Sequence, residues 1–352
     1  MIISRTPYRI SFFGGGTDYP GWYLTHGGQV LSTTIDKYLY ISCRYLPPFF
    51  GHRLRLVYSQ IEVCQDSSEL DHPSAREVLK FLGIENGLEI HYDGDLPGRS
   101  GLGSSSSFTV GLLNALYAYQ GQMISPHRLA TESIHIEQDL IGETVGSQDQ
   151  TNVAHGGLNR IQFKQDGDIV VDPITIGGDR LQALDDCLML FYTGISRTAE
   201  KVAKSYAEDI QAKEKQLIRM HAMVNEAVEL IANGDLDDFG RLLNEAWQEK
   251  RSLSKLVSNL QVDEIYASAK SAGALGGKLS GAGGGGFFLL YVPLDNQADV
   301  KQELSHLLHV PFRFESRGSQ IIFYDRHREY REEELVHADK TRLPVVELKD
   351  LK

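Results

Sequence analysis

Runs of β-branched and aromatic residues dominate the first half of the chain, with turn residues between them. This pattern is typical of strands, and LEIHY at 88–92 also alternates between apolar and polar positions. The runs predict strands over 2–13, 29–45, 53–58 and 88–92, with shorter strands at 158–163 and 169–171. Apolar stretches with helical spacing predict helices over 74–82, 104–119 and 126–141. The last of these helices follows Ser125-Pro126, where proline suits a first helical turn.

The second half mixes long helices with short strands. A buried strand over 187–192 precedes a long helix over about 198–232, which has Lys and Glu on its open face. Further helices are expected at 236–256, 263–272 and 296–308, and strands at 287–292, 312–315 and 320–324, the last two as a pair. From Asp325 the chain is highly charged (DRHREYREEE), which is typical of a solvated tail or surface helix and indicates no catalytic role.

The order of these elements predicts an α+β fold with two domains. Asp172-Pro173 and Gly177-Gly178 mark the candidate boundary, so we expect domains at 1–175 and 176–352 with the active site in the cleft between them. A length of 352 residues fits two domains, since one domain usually takes about 100–200 residues.

Charge and cysteine content exclude several classes of protein. The net charge of −12 repels phosphate backbones and anionic membrane surfaces, so we expect no nucleic-acid or membrane partner. The three cysteines, Cys43, Cys64 and Cys187, are far apart and lack metal-ligand spacing, which suits a reducing compartment. No signal-peptide pattern and no run of 18 apolar residues occurs. We therefore expect a cytoplasmic protein.

The chain has a modest excess of glycine, and it is concentrated in three segments. The chain has 34 glycines, somewhat above the average share of roughly 7%. In the second segment, DLPGRSGLGSSSS at 95–107, a strand, a glycine-rich loop and a helix follow one another. Exposed N–H groups and the helix dipole at such a helix start form an anion site, and serine hydroxyls there can bond phosphate or ligate a divalent cation. The alternative is a glycine turn with a serine cap.

The other two glycine segments are also expected to be loops, and they indicate close approach of backbone. GGKLSGAGGGG at 276–286 contains a formal G-x-G-x-x-G, but a helix is expected before it and a strand after it, the reverse of a dinucleotide site. Lys278 is followed by Leu279, which excludes the common phosphate-loop pattern. In RTPYRISFFGGGTDY at 5–19, Asp18 either caps a turn or bonds a polyhydroxylated ligand.

Together these segments resemble the three motifs of the GHMP small-molecule kinases, in the same order. Residues 7–18 resemble the substrate motif, 97–106 the phosphate-binding motif P-x-x-x-G-L-G-S-S, and 278–286 the third glycine motif. The resemblance covers roughly residues 1–325 and implies a ribosomal-protein-like N-terminal domain and a ferredoxin-like C-terminal domain. It also implies ATP and Mg²⁺ as cofactors and a sugar or sugar phosphate as the partner, in a monomer or homodimer.

The resemblance assigns roles residue by residue. It implies that Asp149 is the catalytic base, that Arg9 offsets charge beside it, and that Ser105 and Glu137 hold Mg²⁺. Considered one at a time, these residues also fit ordinary structural roles: a charge on the surface, an acidic side chain on the solvated face of a helix, or the cap of a loop. The nucleotide would bind Pro97, Gly98, Ser100, Gly101, Leu102, Gly103, Ser104, Ser105 and Ser106, and the substrate would bind Gly15, Gly16, Thr17, Asp18, Tyr19, Arg197, Lys278, Gly281 and Gly283.

Within the family, three segments are most similar to the D-glycero-D-manno-heptose 7-phosphate kinases: GGGTDYPGWY, TIDKY at 34–38 and GSQDQTNVAHGGLN at 146–159. This implies phosphorylation of the anomeric hydroxyl of that sugar. Gly15 and Gly16 stand where galactokinases have two polar side chains, which leaves room for a longer, phosphorylated substrate. Its phosphate needs cations; Arg197 and Lys278 are the main candidates, and Lys37, Arg53 and Arg55 are weaker ones.

Other functions stay open at this point. The nearest is another anomeric sugar kinase of the family, acting on fucose, galactose or an N-acetylhexosamine. A sugar-binding paralogue without catalytic activity is a different class, and retention of Arg9, Glu137 and Asp149 argues against it. A nucleic-acid-binding protein on the same N-terminal fold conflicts with the net charge of −12.

Overall fold

The architecture comes from a computed structural model that describes residues 1–47, 50–84, 87–98, 100–195, 202, 204–205 and 210–325. Three of the predictions lie outside the described residues. These are the position of Arg197, the beginning of the helix expected at 198–232, and the charged segment after Asp325.

Among the described residues, nine strands form one large sheet around the long strand β2. Its path runs in the order β13-β1-β2-β5-β3-β4, while β6 and β12 also pair with β2 and β7 pairs with β6. The strands are β1 (Ile2–Phe13), β2 (Gly28–Tyr45), β3 (Leu54–Val57), β4 (Ile61–Cys64), β5 (Leu88–Gly94), β6 (Asn159–Phe163), β7 (Ile169–Pro173), β12 (Phe314–Glu315) and β13 (Gln320–Tyr324).

Of the helices in the first half, α3 (Ser104–Tyr119) and α5 (Gln148–His155) pack on strands β1 and β2 of this sheet. Gly103, with φ +81°, turns the chain directly into α3, and the Ser125 side chain accepts from the Arg128 N–H to cap α4. The predicted helices at 74–82, 104–119 and 126–141 are confirmed, the last continuing from α4 through a π-helical turn at Ile136–Leu140. The helices are α1 (Pro20–His26), α2 (Pro73–Phe81), α3 (Ser104–Tyr119), α4 (Pro126–His135) and α5 (Gln148–His155).

A smaller four-stranded sheet, in the order β11-β8-β10-β9, organises the second half as far as the structure describes it. Its strands are β8 (Leu188–Tyr192), β9 (Gly276–Leu279), β10 (Phe287–Tyr291) and β11 (Leu308–His309). The helices are α6 (Gly178–Asp186), α7 (Glu214–Asn233), α8 (Leu236–Leu253), α9 (Leu260–Ser271) and α10 (Gln297–Glu303).

Two expectations about the second half are wrong. The strands near 312–315 and 320–324 do not pair with each other: β12 pairs with β2 and β13 with β1, because the chain returns to the large sheet after β11. The third glycine segment is not all loop, since its first four residues form β9, which pairs with β10. Two glycines give β9 low strand propensity, and its pairing and burial override that preference. The domain boundary near 175 stays a prediction.

Aromatic side chains join the two halves beside the site described below. The ring of Phe239 in α8 packs edge-on against Phe12 and Phe13 of β1, with centroid distances of 5.5 and 5.2 Å. All three side chains are buried. Edge-to-face pairs at these distances add to the burial of apolar area, so α8 is fixed against the end of β1.

Candidate active site

A cavity of about 350 Å³ lies where the three glycine-rich segments meet. Its wall also includes the first turns of α3 and α5, the π-helical turn and the end of α8. The cavity therefore has contributions from both halves of the chain. Its volume is within the range of small-molecule sites.

Arg9 and Asp149 form a bidentate ion pair in this cavity. The Arg9 Nε and Nη2 donate to the two Asp149 carboxylate oxygens at 2.6 and 2.5 Å, and Nη1 donates to the Gly101 carbonyl at 2.8 Å. Arg9 is 3% exposed, whereas the Asp149 side chain is 24% exposed. A fork-like pair fixes the orientation of both groups. Asp149 thus has fixed carboxylate oxygens that solvent or a ligand can reach.

The phosphate-loop candidate lies beside this pair. Gly101 and Gly103 have φ near +82°, and the first backbone hydrogen bond of α3 runs from Ser107 N to Gly103 O. The N–H groups of Ser105 and Ser106 therefore precede the hydrogen-bonded part of the helix, at its positive end. Both serines line the cavity. This geometry suits the binding of an anion.

Glu137 provides a buried carboxylate on the same wall. Its Oε2 accepts from Ser106 Oγ at 3.0 Å and Gln150 Nε2 at 2.5 Å, while Oε1 has no hydrogen-bond partner among the described residues. Burial raises the pKa of Glu137 to about 8. A buried carboxylate oxygen without a partner fits a divalent cation, which would favour the charged form. Within the described ranges no group of three or more His, Cys, Asp or Glu side chains could hold a metal. Such a cation would therefore need phosphate oxygens as further ligands, as Mg²⁺ commonly does.

The second and third glycine segments are in backbone contact. A Cβ on Gly101 would lie 2.6 Å from the Ser280 carbonyl oxygen, and one on Gly281 would lie 2.6 Å from Gly101 Cα. A Cβ on Gly286 would lie 2.2 Å from the Ser100 oxygen. These distances exclude any side chain. The expected close approach of backbone is confirmed at these positions.

The first glycine segment places Asp18 in the cavity wall, next to the start of α5. Its Oδ1 accepts from Gly16 N at 2.8 Å, and its backbone oxygen accepts from Ser147 N at 2.9 Å. Burial raises the pKa of Asp18 to about 6, while the Gly16 N–H opposes the shift and Asp149 adds to it. A Cβ on Gly146 would lie 1.9 Å from Asp18 Oδ2, so glycine at 146 makes room for this carboxylate.

Two lysines complete the charge distribution. Lys250 of α8 donates to the Leu279 carbonyl at 3.1 Å and also to the Gly281 carbonyl, and Lys278 of β9 donates to the Phe12 carbonyl at 2.9 Å. Burial lowers the pKa of Lys250 to about 7, and it holds the pKa of Lys278 well below its usual range. Both line the cavity. An anionic ligand there would stabilise their charged forms.

Two family models match the chain: the GHMP kinases N terminal domain over residues 72–157, and the GHMP kinases C terminal over residues 227–309. The chain belongs to the GHMP kinases. It is therefore a phosphotransferase, as expected. The two matches include the serines of the phosphate loop, Glu137, Asp149 and Lys250.

Relatives of this GHMP kinase include enzymes that are named as sugar kinases. The chain is 29% identical over 315 residues to a D-glycero-alpha-D-manno-heptose 7-phosphate kinase from Campylobacter jejuni, with 83% of this chain and 89% of the relative covered. It is 27% identical over 342 residues to an L-fucokinase/L-fucose-1-P guanylyltransferase from Bacteroides fragilis, with 86% of this chain and 35% of the relative covered.

The fold of this GHMP kinase also matches solved structures. A D-glycero-D-manno-heptose 1-phosphate kinase from Bacteroides thetaiotaomicron superposes with a TM-score of 0.76 at 22% identity, covering 92% of this chain and 99% of the other. The expected GHMP kinase fold is confirmed. In the described part of the chain, no helix has the length and apolar character needed to cross a membrane.

This cavity is lined by most of the residues that the sequence of this GHMP kinase singled out. They are Arg9, Gly15, Gly16, Asp18, Tyr19, Gly101, Gly103, Ser104, Ser105, Ser106, Glu137, Asp149, Lys278 and Gly281.

The other candidates do not line the cavity. Pro97 and Gly98 are exposed, Ser100 and Leu102 are buried in the loop, Thr17 donates to the Gly14 and Gln29 carbonyls, and Gly283 packs on Val257. Arg197 lies outside the described residues.

The lining side chains that were missed from the sequence include Ser11, Gln148 and Lys250. Ser11 and Gln148 are close in sequence to Arg9 and Asp149, and that proximity was the available signal. No signal in the sequence pointed to Lys250, because a lysine in an amphipathic helix ordinarily faces solvent.

Proposed function

We propose that this kinase transfers the γ-phosphoryl group of ATP to the anomeric hydroxyl of D-glycero-D-manno-heptose 7-phosphate, giving the 1,7-bisphosphate. The observation that carries the proposal is the near full-length match to the heptose 7-phosphate kinase of Campylobacter jejuni. The cavity supports it, since it combines a helix start suited to phosphate with a carboxylate accessible to a hydroxyl. ATP dependence also favours action in the cytoplasm.

Asp149 is proposed as the general base. In the reaction, the anomeric O–H gives its proton to a carboxylate oxygen of Asp149. The sugar oxygen bonds to the γ-phosphorus, and the bond from phosphorus to the β–γ bridging oxygen breaks to release ADP. The bidentate contact with Arg9 supports this role because it holds the carboxylate in one orientation. The guanidinium would also offset negative charge on the transferring group.

The proposed nucleotide site is the turn from Gly101 into α3. Glu137 and Ser105 would hold Mg²⁺ together with the ATP phosphates. Ser104 and the backbone N–H groups from Gly101 to Ser106 would bond phosphate oxygens. The partnerless Oε1 of Glu137, within the described structure, supports the cation assignment. When bound, Mg²⁺ neutralises charge on the transferring phosphoryl group. Alignment and charge neutralisation account for most catalysis of phosphoryl transfer.

The substrate's phosphate needs cationic partners inside an acidic protein. Lys278 and Lys250 are both buried in the cavity wall, where an anionic ligand would raise their lowered pKa values and so favour the charged amines. We propose these two lysines as partners of the sugar phosphate. Arg197, the other candidate from the sequence, lies outside the described residues, and its role remains a proposal from the sequence alone.

A substrate panel tests the function. The purified protein is assayed for ADP release with ATP and Mg²⁺ and with D-glycero-D-manno-heptose 7-phosphate, the unphosphorylated heptose, L-fucose, galactose and N-acetylhexosamines. We expect kcat/KM for the heptose phosphate to exceed all others by roughly 30- to 150-fold, because a buried cation–phosphate contact is worth about 2–3 kcal/mol. Equal turnover of L-fucose would favour the second candidate, which the match to the fucokinase suggests.

A further inference from the structure

Ser11, Gly15 and Gln148 surround one part of the cavity that neither the proposed catalytic pair nor the phosphate loop uses. Ser11 lies two positions after Arg9 in β1, so strand alternation directs both side chains to the same face. Gln148 is the first residue of α5 and directly precedes Asp149. These three residues are therefore adjacent to the Arg9–Asp149 pair.

Two polar atoms in this part of the cavity have no protein partner. Ser11 Oγ and Gln148 Oε1 are both buried, and neither forms a hydrogen bond with any of the residues that the structure describes. A buried polar group without a hydrogen bond costs about 1–3 kcal/mol of stability. Such a cost is expected where a ligand supplies the missing bond.

Neither the backbone conformation nor a close backbone contact requires glycine at position 15 among the described residues. Gly14 has φ +83°, and a Cβ there would lie 2.0 Å from the Gln29 carbonyl oxygen; Gly16 has φ +106°. Gly15 has no left-handed φ, and among the described residues its Cβ would meet only Gln148 Nε2 at 3.6 Å and Ser11 Oγ at 3.8 Å, which are ordinary contacts. A side chain is thus sterically possible at 15. Its absence keeps open the space that faces Ser11 and Gln148.

We propose that Ser11 and Gln148 together bind one hydroxyl group of the acceptor sugar, in the space left open by Gly15. The inference rests on the proposed function, and it adds a specificity-determining subsite to it. A sugar hydroxyl both donates and accepts, so it satisfies the serine hydroxyl and the glutamine carboxamide at once. Because the subsite adjoins Asp149, the hydroxyl that it binds is close to the one that is phosphorylated.

The subsite predicts opposite effects on sugar binding and stability. Ser11→Ala and Gln148→Met each remove a partnerless polar atom with little change of shape. We expect KM for the sugar to rise about 3- to 15-fold, the loss of one neutral hydrogen bond, while KM for ATP stays within about twofold. Tm should be unchanged or higher, since no protein hydrogen bond to Ser11 Oγ or Gln148 Oε1 is lost. Gly15→Ala should raise KM for the sugar more than tenfold by occupying the space.

Ser133→Ala is the matched control. Ser133 Oγ is also buried and partnerless among the described residues, but Ser133 belongs to α4 and is not one of the residues that line the cavity. Its replacement should leave both KM values unchanged. The double variant Ser11→Ala/Gln148→Met should be less impaired than the product of the two single effects, because both residues bind the same hydroxyl.

The experiment is steady-state kinetics and thermal unfolding of these variants, using the best sugar from the substrate panel. The inference is overturned if KM for that sugar stays within twofold of wild type, if it rises together with KM for ATP while Tm falls, or if the two single effects multiply. Preference of the wild type for another sugar refutes the heptose assignment, and the same variants then test the subsite with that sugar. Turnover of no sugar at all refutes both.

Discussion

Arg9 binds both carboxylate oxygens of Asp149 and, through Nη1, the carbonyl of Gly101 in the phosphate loop. One guanidinium therefore connects β1, the start of α5 and the turn into α3. Because Arg9 is nearly fully buried, the contact is screened little by solvent. Arg9 thus helps to fix the position of the base relative to the phosphate loop, together with Glu137, which binds Ser106 of α3 and Gln150 of α5.

Asp149→Asn tests the assignment of the base. The amide cannot take a proton from the sugar hydroxyl, so we expect kcat to fall by at least about 100-fold, at the lower end of the range for general base catalysis. Binding of ATP, measured by calorimetry, should change little because the phosphate loop is unaltered. Calorimetry also shows that the variant is folded. A kcat within tenfold of wild type would refute the assignment.

Gly101→Ala tests the contact between the two glycine segments. The new Cβ would lie 2.6 Å from the Ser280 oxygen, and φ of +82° disfavours alanine. Left-handed backbone alone costs roughly 1–2 kcal/mol, so we expect Tm to fall by at least about 2 °C and KM for ATP to rise. Thermal unfolding and initial rates measure both effects.

Gly98→Ala is the control for that variant. Gly98 belongs to the same loop, but apart from its chain neighbours no residue that the structure describes lies within 4 Å of the position of its Cβ, and its φ is not left-handed. It should behave like the wild type. If both substitutions had the same effect, the close approach at Gly101 would not be its cause.

The sequence predicted residues that line the cavity better than it predicted the strand pairing. Glycine carries direct information at Gly101, Gly281 and Gly286, because no other residue fits where two backbones touch. The sequence of a short strand carries no such information about which strand it pairs with. The two-residue β12 and the five-residue β13 pair with β2 and β1 because of where the chain returns, which no local preference encodes.

Burial of polar residues was the other feature that local pattern did not reveal. Lys250 lies in the amphipathic helix α8, where a lysine is expected to face solvent, yet it is 7% exposed and its Nζ contacts the third glycine segment. Ser11 resembles any polar residue of a half-buried strand. Only the assembly of both halves shows that these side chains face a common cavity.

Glu137→Gln tests the proposed cation site. Glutamine keeps an acceptor for Ser106 and Gln150 but carries no charge, so we expect at least a tenfold higher Mg²⁺ requirement and a lower kcat. Tm without nucleotide should not fall, since burial of the Glu137 carboxylate disfavours its charged form. Rates measured across a series of Mg²⁺ concentrations provide the test. Asp139→Asn, at an exposed acid of the same helical segment, is the control. An unchanged Mg²⁺ requirement in Glu137→Gln would contradict the assignment.

Lys250 should give the stability a measurable pH dependence. Burial, with a further contribution from Arg9, lowers its pKa to about 7 in the folded protein, whereas Asp149 and Asp18 oppose the shift. The unfolded chain keeps the ordinary pKa of about 10.4. Between about pH 7 and 10 the unfolded state thus binds more protons than the folded state, so this group makes stability rise with pH.

The variant Lys250→Met lacks this titration. The Tm difference, wild type minus variant, should therefore increase steadily from pH 7 to pH 9.5, whatever its sign at pH 7. That sign also depends on the hydrogen bonds to the Leu279 and Gly281 carbonyls, which the variant lacks. Their contribution to stability is the same at every pH at which the Lys250 amine donates them, so it does not change the slope. Lys255→Met, at an exposed lysine just after α8, should give a difference that is flat with pH. Thermal unfolding in matched buffers measures both, and a flat difference for Lys250→Met would mean that its amine stays charged in the folded protein throughout this range.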